Sequence, residues 1–228
     1  MKKTISKIVM ALAVATSFTA CKKTDATSVD LSNNGSYKVV TSGSVTYVQN
    51  FVADTIQGYN PTTGQPIGAT GARVFFSLER GEVVTDTATK TWDLAFNGTK
   101  IWINGGVSGN KMGGAYNKMA AFADVVSADD ASMKVDGTSR AITGYDANAG
   151  TTSSNGGWYT LVPPPPGASI VTTVPGRTIL VRTASGKYAK IEMMCYYKGG
   201  VVPTVSTAIL ERYYNFRYTY QANGSTTF

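Results

Sequence analysis

Residues 210–221 alternate along the chain, with Tyr214, Phe216, Tyr218 and Tyr220 on one side of an extended backbone and Asn215 and Arg217 on the other. A period of two belongs to a β-strand with one face in a core. Residues 187–197 repeat the pattern, with Ala189, Ile191, Met193 and Cys195 facing one way and Lys190, Glu192 and Tyr196 the other. A helix would scatter each of these sets around its circumference, so the two stretches commit the chain to a sheet. The tyrosines of 210–221 are expected to pack within the sheet; the alternative is a platform on which carbohydrate rings stack.

Further strands are predicted at 36–41, 44–52, 74–78, 91–96, 99–103 and 177–183, each rich in β-branched or aromatic residues and bounded by turn residues. Asn97-Gly98 joins two of them and predicts a tight type I′ hairpin, because this dipeptide best tolerates two positive φ angles. Ser185-Gly186 joins 177–183 to 187–197 in the same way. Trp92, within a predicted strand, is expected to be buried. One segment carries a helical signal: Ala115, Met119, Phe122 and Val126 recur at spacings of three and four, which predicts a short helix over 115–126. Residues 127–175 read as a long irregular region with small polar residues at 151–157 and a polyproline run at 163–166. Long loops on a β scaffold are common places for ligands. The expected fold is therefore all-β and mostly antiparallel, with one short helix and long ligand-facing loops.

The amino terminus has the order of a bacterial lipoprotein signal. Lys2, Lys3 and Lys7 precede an apolar run over 8–15, too short to span a bilayer, and Phe18-Thr19-Ala20-Cys21 has the form of a lipobox. The expected division is a signal peptide over 1–20, a flexible polar tether over 21–35 beginning at the lipidated Cys21, and a single β domain over 36–228. Acyl chains on Cys21 would attach the domain durably to a membrane. Loss of the three signal lysines takes the 21 basic residues to 18 against 14 acidic ones, a mild excess. With no basic cluster in the chain, nucleic acid is not an expected partner. Cys195 is expected to be a buried, inert thiol. The chain has no histidine, which excludes Ser-His-Asp and Cys-His catalysis and every histidine-containing metal site. Glu79, Glu82, Asp86, Asp93 and Glu192 show no spaced pair of loop carboxylates of the kind a glycosidase needs, so an enzyme is not expected. Adjacent Asp129 and Asp130 lack the Asp/Asn/Gly spacing of a calcium loop and are expected to be solvated.

Several motifs, in this order, resemble the HmuY-type haem-binding lipoproteins: Phe75-Phe76-Ser77-Leu78, Trp92-Asp93-Leu94-Ala95, Asn104-Gly105-Gly106-Val107-Ser108-Gly109, Gly113-Gly114-Ala115, Gly156-Gly157-Trp158, the run from Val181 to Lys190, and Phe216-Arg217-Tyr218-Thr219-Tyr220. The resemblance implies an all-β fold with a cleft between extended loops. It also implies haem as cofactor, a TonB-dependent outer-membrane receptor as partner, and a place on the outer membrane, at the cell surface or its periplasmic face, in iron acquisition. In that family two histidines hold the iron. The first would fall in a segment lacking here between Asp136 and Ala141, and the second at the position of Pro163, five residues beyond Trp158. Other relatives use paired methionines, a pattern not visible in this chain.

The remaining haem-binding candidates are Met133, Tyr145, Tyr159, Met119 and Trp158. Met133 sits in the polar stretch Ala131-Ser132-Met133-Lys134, and its thioether is a soft donor suited to ferrous haem. Tyr145 and Tyr159 offer phenolates or stacking faces, and both could equally be packing residues. Met119 lies on the apolar face of the predicted helix, where core packing is the plainer role. Trp158 and Tyr159 together could instead stack on a glycan, a peptide or another surface partner, the alternative function for the same scaffold.

Overall fold

The structure, a computed structural model, describes residues 35–147, 156–162, 169–204 and 208–228. Fourteen strands are present among these residues: β1 Lys38–Ser42, β2 Val45–Val52, β3 Gly58–Tyr59, β4 Pro66–Ile67, β5 Val74–Ser77, β6 Glu82–Val84, β7 Leu94–Asn97, β8 Lys100–Ile103, β9 Gly114–Met119, β10 Tyr159–Val162, β11 Ile170–Thr173, β12 Arg177–Arg182, β13 Tyr188–Tyr197 and β14 Glu211–Gln221. They form a six-stranded sheet in the order β1-β2-β14-β13-β12-β9, a four-stranded sheet β6-β5-β7-β8, and two small hairpins, β3-β4 and β10-β11. Every ladder is antiparallel. Cys21 and the tether before residue 35 lie outside the described residues.

The alternation in the sequence becomes the core. Tyr214, Phe216 and Tyr218 of β14 and Ala189, Ile191, Met193 and Cys195 of β13 are buried between the two sheets, against Phe76, Phe96, Ile101 and Ile103 of the smaller one. The tyrosine face of β14 is therefore packed, not presented as a carbohydrate platform. Phe51 of β2 stands at the centre, with ring centroids of Phe76 at 5.6 Å, Phe96 at 4.8 Å, Tyr214 at 6.4 Å and Phe216 at 6.4 Å, mostly edge to face. A bulge near Cys195 shifts the register of β13 against β14 and brings Tyr196 into the same core. Cys195 is free and buried, and burial pushes its thiol up, away from the reactive thiolate. The outer face of the large sheet carries a second cluster of Val125, Ala128, Leu180 and Tyr188 under the segment that follows β9.

Residues 115–126 correct the predicted helix. Positions 114–119 form β9, paired from end to end with β12 from Gly114↔Arg182 to Met119↔Arg177. A lone helix of about twelve residues is marginal in water, whereas the edge of the large sheet satisfies the backbone groups of this segment. The apparent apolar stripe also fails, since Phe122 is buried while Val126 is 65% exposed. Among the described residues there is no α-helix, only short 3-10 turns at Asp130–Ser132, Lys198–Gly200 and Ala208–Leu210.

The β7–β8 hairpin forms, one residue out of the expected register. Asn97 pairs with Lys100, so the two turn residues are Gly98 and Thr99, and Gly98 alone of Asn97-Gly98 takes a positive φ, 54°. That is the pattern of a turn with glycine first, not of type I′. Asn97 is held in the strand because its amide donates to Asp54 Oδ2 at 2.9 Å and to the Ala72 carbonyl at 2.8 Å. Trp92 is buried as expected, but just before β7, folded over the outer face of the small sheet against Phe75 at 5.0 Å.

Because the rings of Tyr37, Phe76, Phe96, Tyr214 and Phe216 all lean on Phe51, Phe51→Ala is expected to lower stability by about 3–5 kcal/mol. Equilibrium urea unfolding followed by tryptophan fluorescence checks this; an unchanged midpoint would remove Phe51 from the centre of the core.

Candidate functional site

Two glycines and a buried ion pair set one wall of the site. Arg177 at the start of β12 donates to Asp146 at 2.8 Å, and both side chains are closed to solvent. Gly156 lies directly on this pair and Gly157 on the Gly144 carbonyl, so a Cβ at either place would collide with what it covers. The Asn117 amide of β9 holds the same segment by donating to the carbonyls of Thr143 and Gly156, each at 2.9 Å. Trp158 is thereby driven inward to 2% exposure, against Tyr159 at 4.7 Å, Tyr214 at 5.9 Å and Tyr196 at 6.3 Å. Backbone bonds from Tyr159 N–H to Gly144 and from Asp146 N–H to the Tyr159 carbonyl, 3.1 and 2.7 Å, fix the start of β10.

From that anchor β10 and β11 form one side of a cleft of about 1060 Å³. Tyr159, Leu161, Ser169 and Val171 line it from the hairpin, Gly98, Thr99 and Lys100 from the β7–β8 turn, and Tyr59, Pro61, Gly64 and Pro66 from the β3–β4 segment. Tyr196, Glu211, Arg212 and Asp54 complete the lining from the large sheet and the residues that follow β2. The volume is that of a small-molecule or cofactor site.

The polar groups here are tightly held. Asp54 accepts from the backbone and hydroxyl of Thr70 at 2.8 and 2.6 Å, from Gly71 N–H at 3.1 Å, from the Asn97 amide and from Arg212 Nη1 at 3.1 Å. Burial pushes this carboxyl up, but the Thr70 and Gly71 bonds and the Arg212 guanidinium outweigh it and hold it below the usual aspartate range. Tyr59 donates its hydroxyl to Glu211. Burial, and then the Glu211 carboxylate, raise the Tyr59 phenol; burial raises Tyr196 and Tyr214 strongly. These three phenols stay protonated at neutral pH.

The structure brings some of the sequence candidates together and separates others. Tyr159 lines the cleft with its hydroxyl 3.1 Å from Thr99 Oγ1. Tyr145 bridges to it through the backbone, its half-exposed ring 5.9 Å away. Trp158 lies beneath both and supports the wall, so it offers no open stacking face. Met133 is elsewhere. It packs against the cluster that contains Leu180 and lines a separate depression of about 460 Å³ with Tyr116 and Lys118. Tyr159 packs against the core cluster that contains Ile179 and Val181, and the side chains of these two leave the opposite face of β12 from Leu180. One ligand therefore cannot meet both Met133 and Tyr159. Met119 ends β9 and is absent from the lining of the cleft. Asp129 and Asp130 are not merely solvated: Asp129 caps the 3-10 turn, and Asp130 pairs with Arg182 at 2.8 Å and accepts from Tyr188. Pro163 lies outside the described residues. Among the described residues no group of three metal-ligating side chains comes together. Tyr59, Asp54, Glu211 and Arg212 had no signal in the sequence, since 158 positions separate Asp54 from Arg212.

A family model described as HmuY protein matches residues 69–207. Among solved structures, the chain is similar to a lipoprotein from Bacteroides fragilis with 13% identity and a TM-score of 0.47, over 80% of this chain and 93% of that one. It is also similar to the apo HmuY analog of Tannerella forsythia, with 13% identity and a TM-score of 0.39 over 82% and 98% of the two chains. A protein described as HmuY-like and heme-binding from Bacteroides vulgatus gives 16% identity and a TM-score of 0.38 over 72% and 96%. No curated protein matches the chain.

Asp54 gives this site a pH signature. Its folded pKa is lowered, so its contribution to stability is complete above the unfolded value of about 3.9 and is lost as pH falls through the folded value. Asp54→Ala leaves Arg212 buried without its partner and is expected to cost about 3–5 kcal/mol at neutral pH. Urea unfolding at neutral pH and near pH 2 should show the gap between variant and wild type narrowing in acid; a gap that does not change with pH would contradict the assignment.

Proposed function

The chain belongs to the HmuY family, and from that premise we propose that it is a membrane-anchored lipoprotein that holds haem or a related tetrapyrrole in the cleft lined by β10 and β11, without transforming it. The observation that carries this reading is the Gly156-Gly157-Trp158 segment. It seats Trp158 in the core and delivers Tyr159 and Leu161 into the cleft wall, on the strand that runs toward the position of the family's second iron ligand.

The lining suits a flat, largely apolar ligand with polar edges: Leu161, Val171, Pro61 and Pro66 offer apolar contact, while Tyr159, Lys100 and Arg212 offer polar contact at different points of the cleft. Haem, when bound, would bring an iron that accepts a protein donor. With no histidine in the chain, a phenol of the cleft wall would serve as that donor, a type of ligand that favours ferric iron. Tyr159 fits this role best. Tyr59 is committed to Glu211 and Tyr196 is closed in the core, whereas the Tyr159 hydroxyl meets only the neutral Thr99 hydroxyl at 3.1 Å. Tyr145 beside it forms the outer edge of the same aromatic pair. In this reading Cys21 tethers the domain to the outer membrane, and a TonB-dependent receptor takes the ligand from the cleft for iron acquisition.

Titration of the mature, tagless domain with haemin should give a Soret shift and saturable quenching of tryptophan fluorescence. Tyr159→Phe should weaken ferric binding by at least about tenfold, the loss of roughly one strong interaction. Met133→Ala, across the sheet, should leave binding unchanged. No spectral shift and no quenching would sink the haem reading; a loss with Met133→Ala would move the site to the other face. Cys21→Ser should move the protein from membranes to the soluble fraction with unchanged melting, because the residue precedes the β domain. A variant that still takes up palmitate and pellets with membranes would refute the tether.

A further inference from the structure

Arg212 lies on the floor of the cleft with only one end of its guanidinium engaged. Nη1 donates to the Asp54 carbonyl at 2.7 Å and to Asp54 Oδ2 at 3.1 Å. Nε is buried and has no hydrogen-bond partner, although the side chain is nine-tenths buried. Nη2, on the same edge as Nε, lies by the Gly98 turn that lines the cleft. An unpaired buried donor is costly, and the Nε–Nη2 edge of a guanidinium is a planar fork that matches the two oxygens of a carboxylate.

The backbone is distorted to place this group. Arg212 and Asp54 have φ of 65° and 52°, two of the three positive values found among the described non-glycine residues. Each such conformation costs about 1–3 kcal/mol and persists where the surroundings impose it. Both residues sit where the β2–β14 ladder ends at Val52↔Tyr213, and Ala53 N–H still bonds the Arg212 carbonyl at 3.0 Å. The ion pair is thus turned out of the ladder as a unit and toward the cleft. The charges lining the cleft cancel, Asp54 and Glu211 against Lys100 and Arg212. An anion is therefore not drawn in by a net field. It would be recognised by the geometry of one fork.

We infer that the cleft selects a ligand carrying a free carboxylate, received by the Nε–Nη2 edge of Arg212; this rests on the tetrapyrrole reading, in which the carboxylate is a propionate side chain. Asp54 keeps the fork in position from behind, and Lys100, exposed on the rim, faces the same space.

The test uses a metal-free porphyrin, so that iron coordination does not enter. Mesoporphyrin IX and its dimethyl ester are titrated into the mature domain in one detergent-containing buffer and followed by tryptophan quenching and porphyrin absorbance. The diacid should bind about 10- to 100-fold more tightly than the ester, the range of one or two charged hydrogen bonds. In Arg212→Lys, which keeps the charge and removes the fork, the two should bind alike. Equal affinities for wild type would overturn the inference and leave the tetrapyrrole reading standing, as would a gap that persists in folded Arg212→Lys. Failure of both porphyrins to bind would overturn the inference, while haemin titrated alongside decides the tetrapyrrole reading separately. Should Arg212→Lys not fold, the Nε–H proton resonance of Arg212 in the wild-type domain decides: it shifts with the diacid and not with the ester, and a resonance indifferent to both refutes the contact.

Discussion

Asp93 is bound from two sides. Its Oδ2 accepts from Leu78 N–H at 2.8 Å in the small sheet's turn, and its Oδ1 accepts from Ala184 N–H at 2.9 Å in the β12–β13 turn of the large sheet. One buried carboxylate thus ties the β5–β6 turn of the small sheet to the β12–β13 turn of the large one. Burial raises its pKa despite these donors, so the fold tolerates the group as a linker at some electrostatic cost. The same device recurs. Asp136 accepts from Ile103 and Ala141 N–H at 3.1 and 2.7 Å, and Asp146 pairs with Arg177. Long loops without helix or sheet need other partners for their backbone groups, and in this chain buried aspartates supply them.

The glycine-rich motifs follow from that arrangement. Gly105 and Gly113 bring two backbone segments together, Gly106 lies against the Asp136 carbonyl, and Gly109 lies against the Asn104 side chain. Asn104 in turn donates to the Trp92 carbonyl at 2.9 Å. Gly156 does the same over the Asp146–Arg177 pair, and Gly157 over the Gly144 carbonyl. These motifs carry the family resemblance, and their physical content is close packing of loops against buried polar anchors. They specify the scaffold and position the cleft wall, and none of these glycines is in the lining of the cleft.

How much was legible in the sequence depended on how local the cause was. The strand faces of β13 and β14 were readable because alternation is a local pattern that burial enforces, and the bulge near Cys195 is the point at which it breaks. The β7–β8 hairpin was readable, but its register was set by Asn97 bonding to Asp54, 43 positions away. The segment 115–126 carries a helical spacing, and pairing of its first residues with β12, some 58 to 66 positions on, overrules it. The β10–β11 hairpin went unseen within a stretch that read as irregular, because its strands are four residues each and flank a polyproline run. Of the site candidates, Tyr159 directly follows the Gly-Gly-Trp motif and lines the cleft. Met133 was attractive only for its polar neighbours, and these face another depression.

The lack of histidine then acquires a structural meaning. A bis-histidine site draws its affinity from two strong bonds to iron, and the pocket around it can be permissive. This cleft has no such bonds available, and the described lining is built differently: apolar contact from β10, β11 and the β3–β4 segment, a phenol at Tyr159, and an arginine fork held by Asp54. Recognition would shift from the metal to the edge and face of the macrocycle. In the proposed reading such a site would discriminate by the substituents of the ring more than by the metal, and Asp54 and Arg212, the positive-φ residues at the end of the β2–β14 ladder, would carry that discrimination.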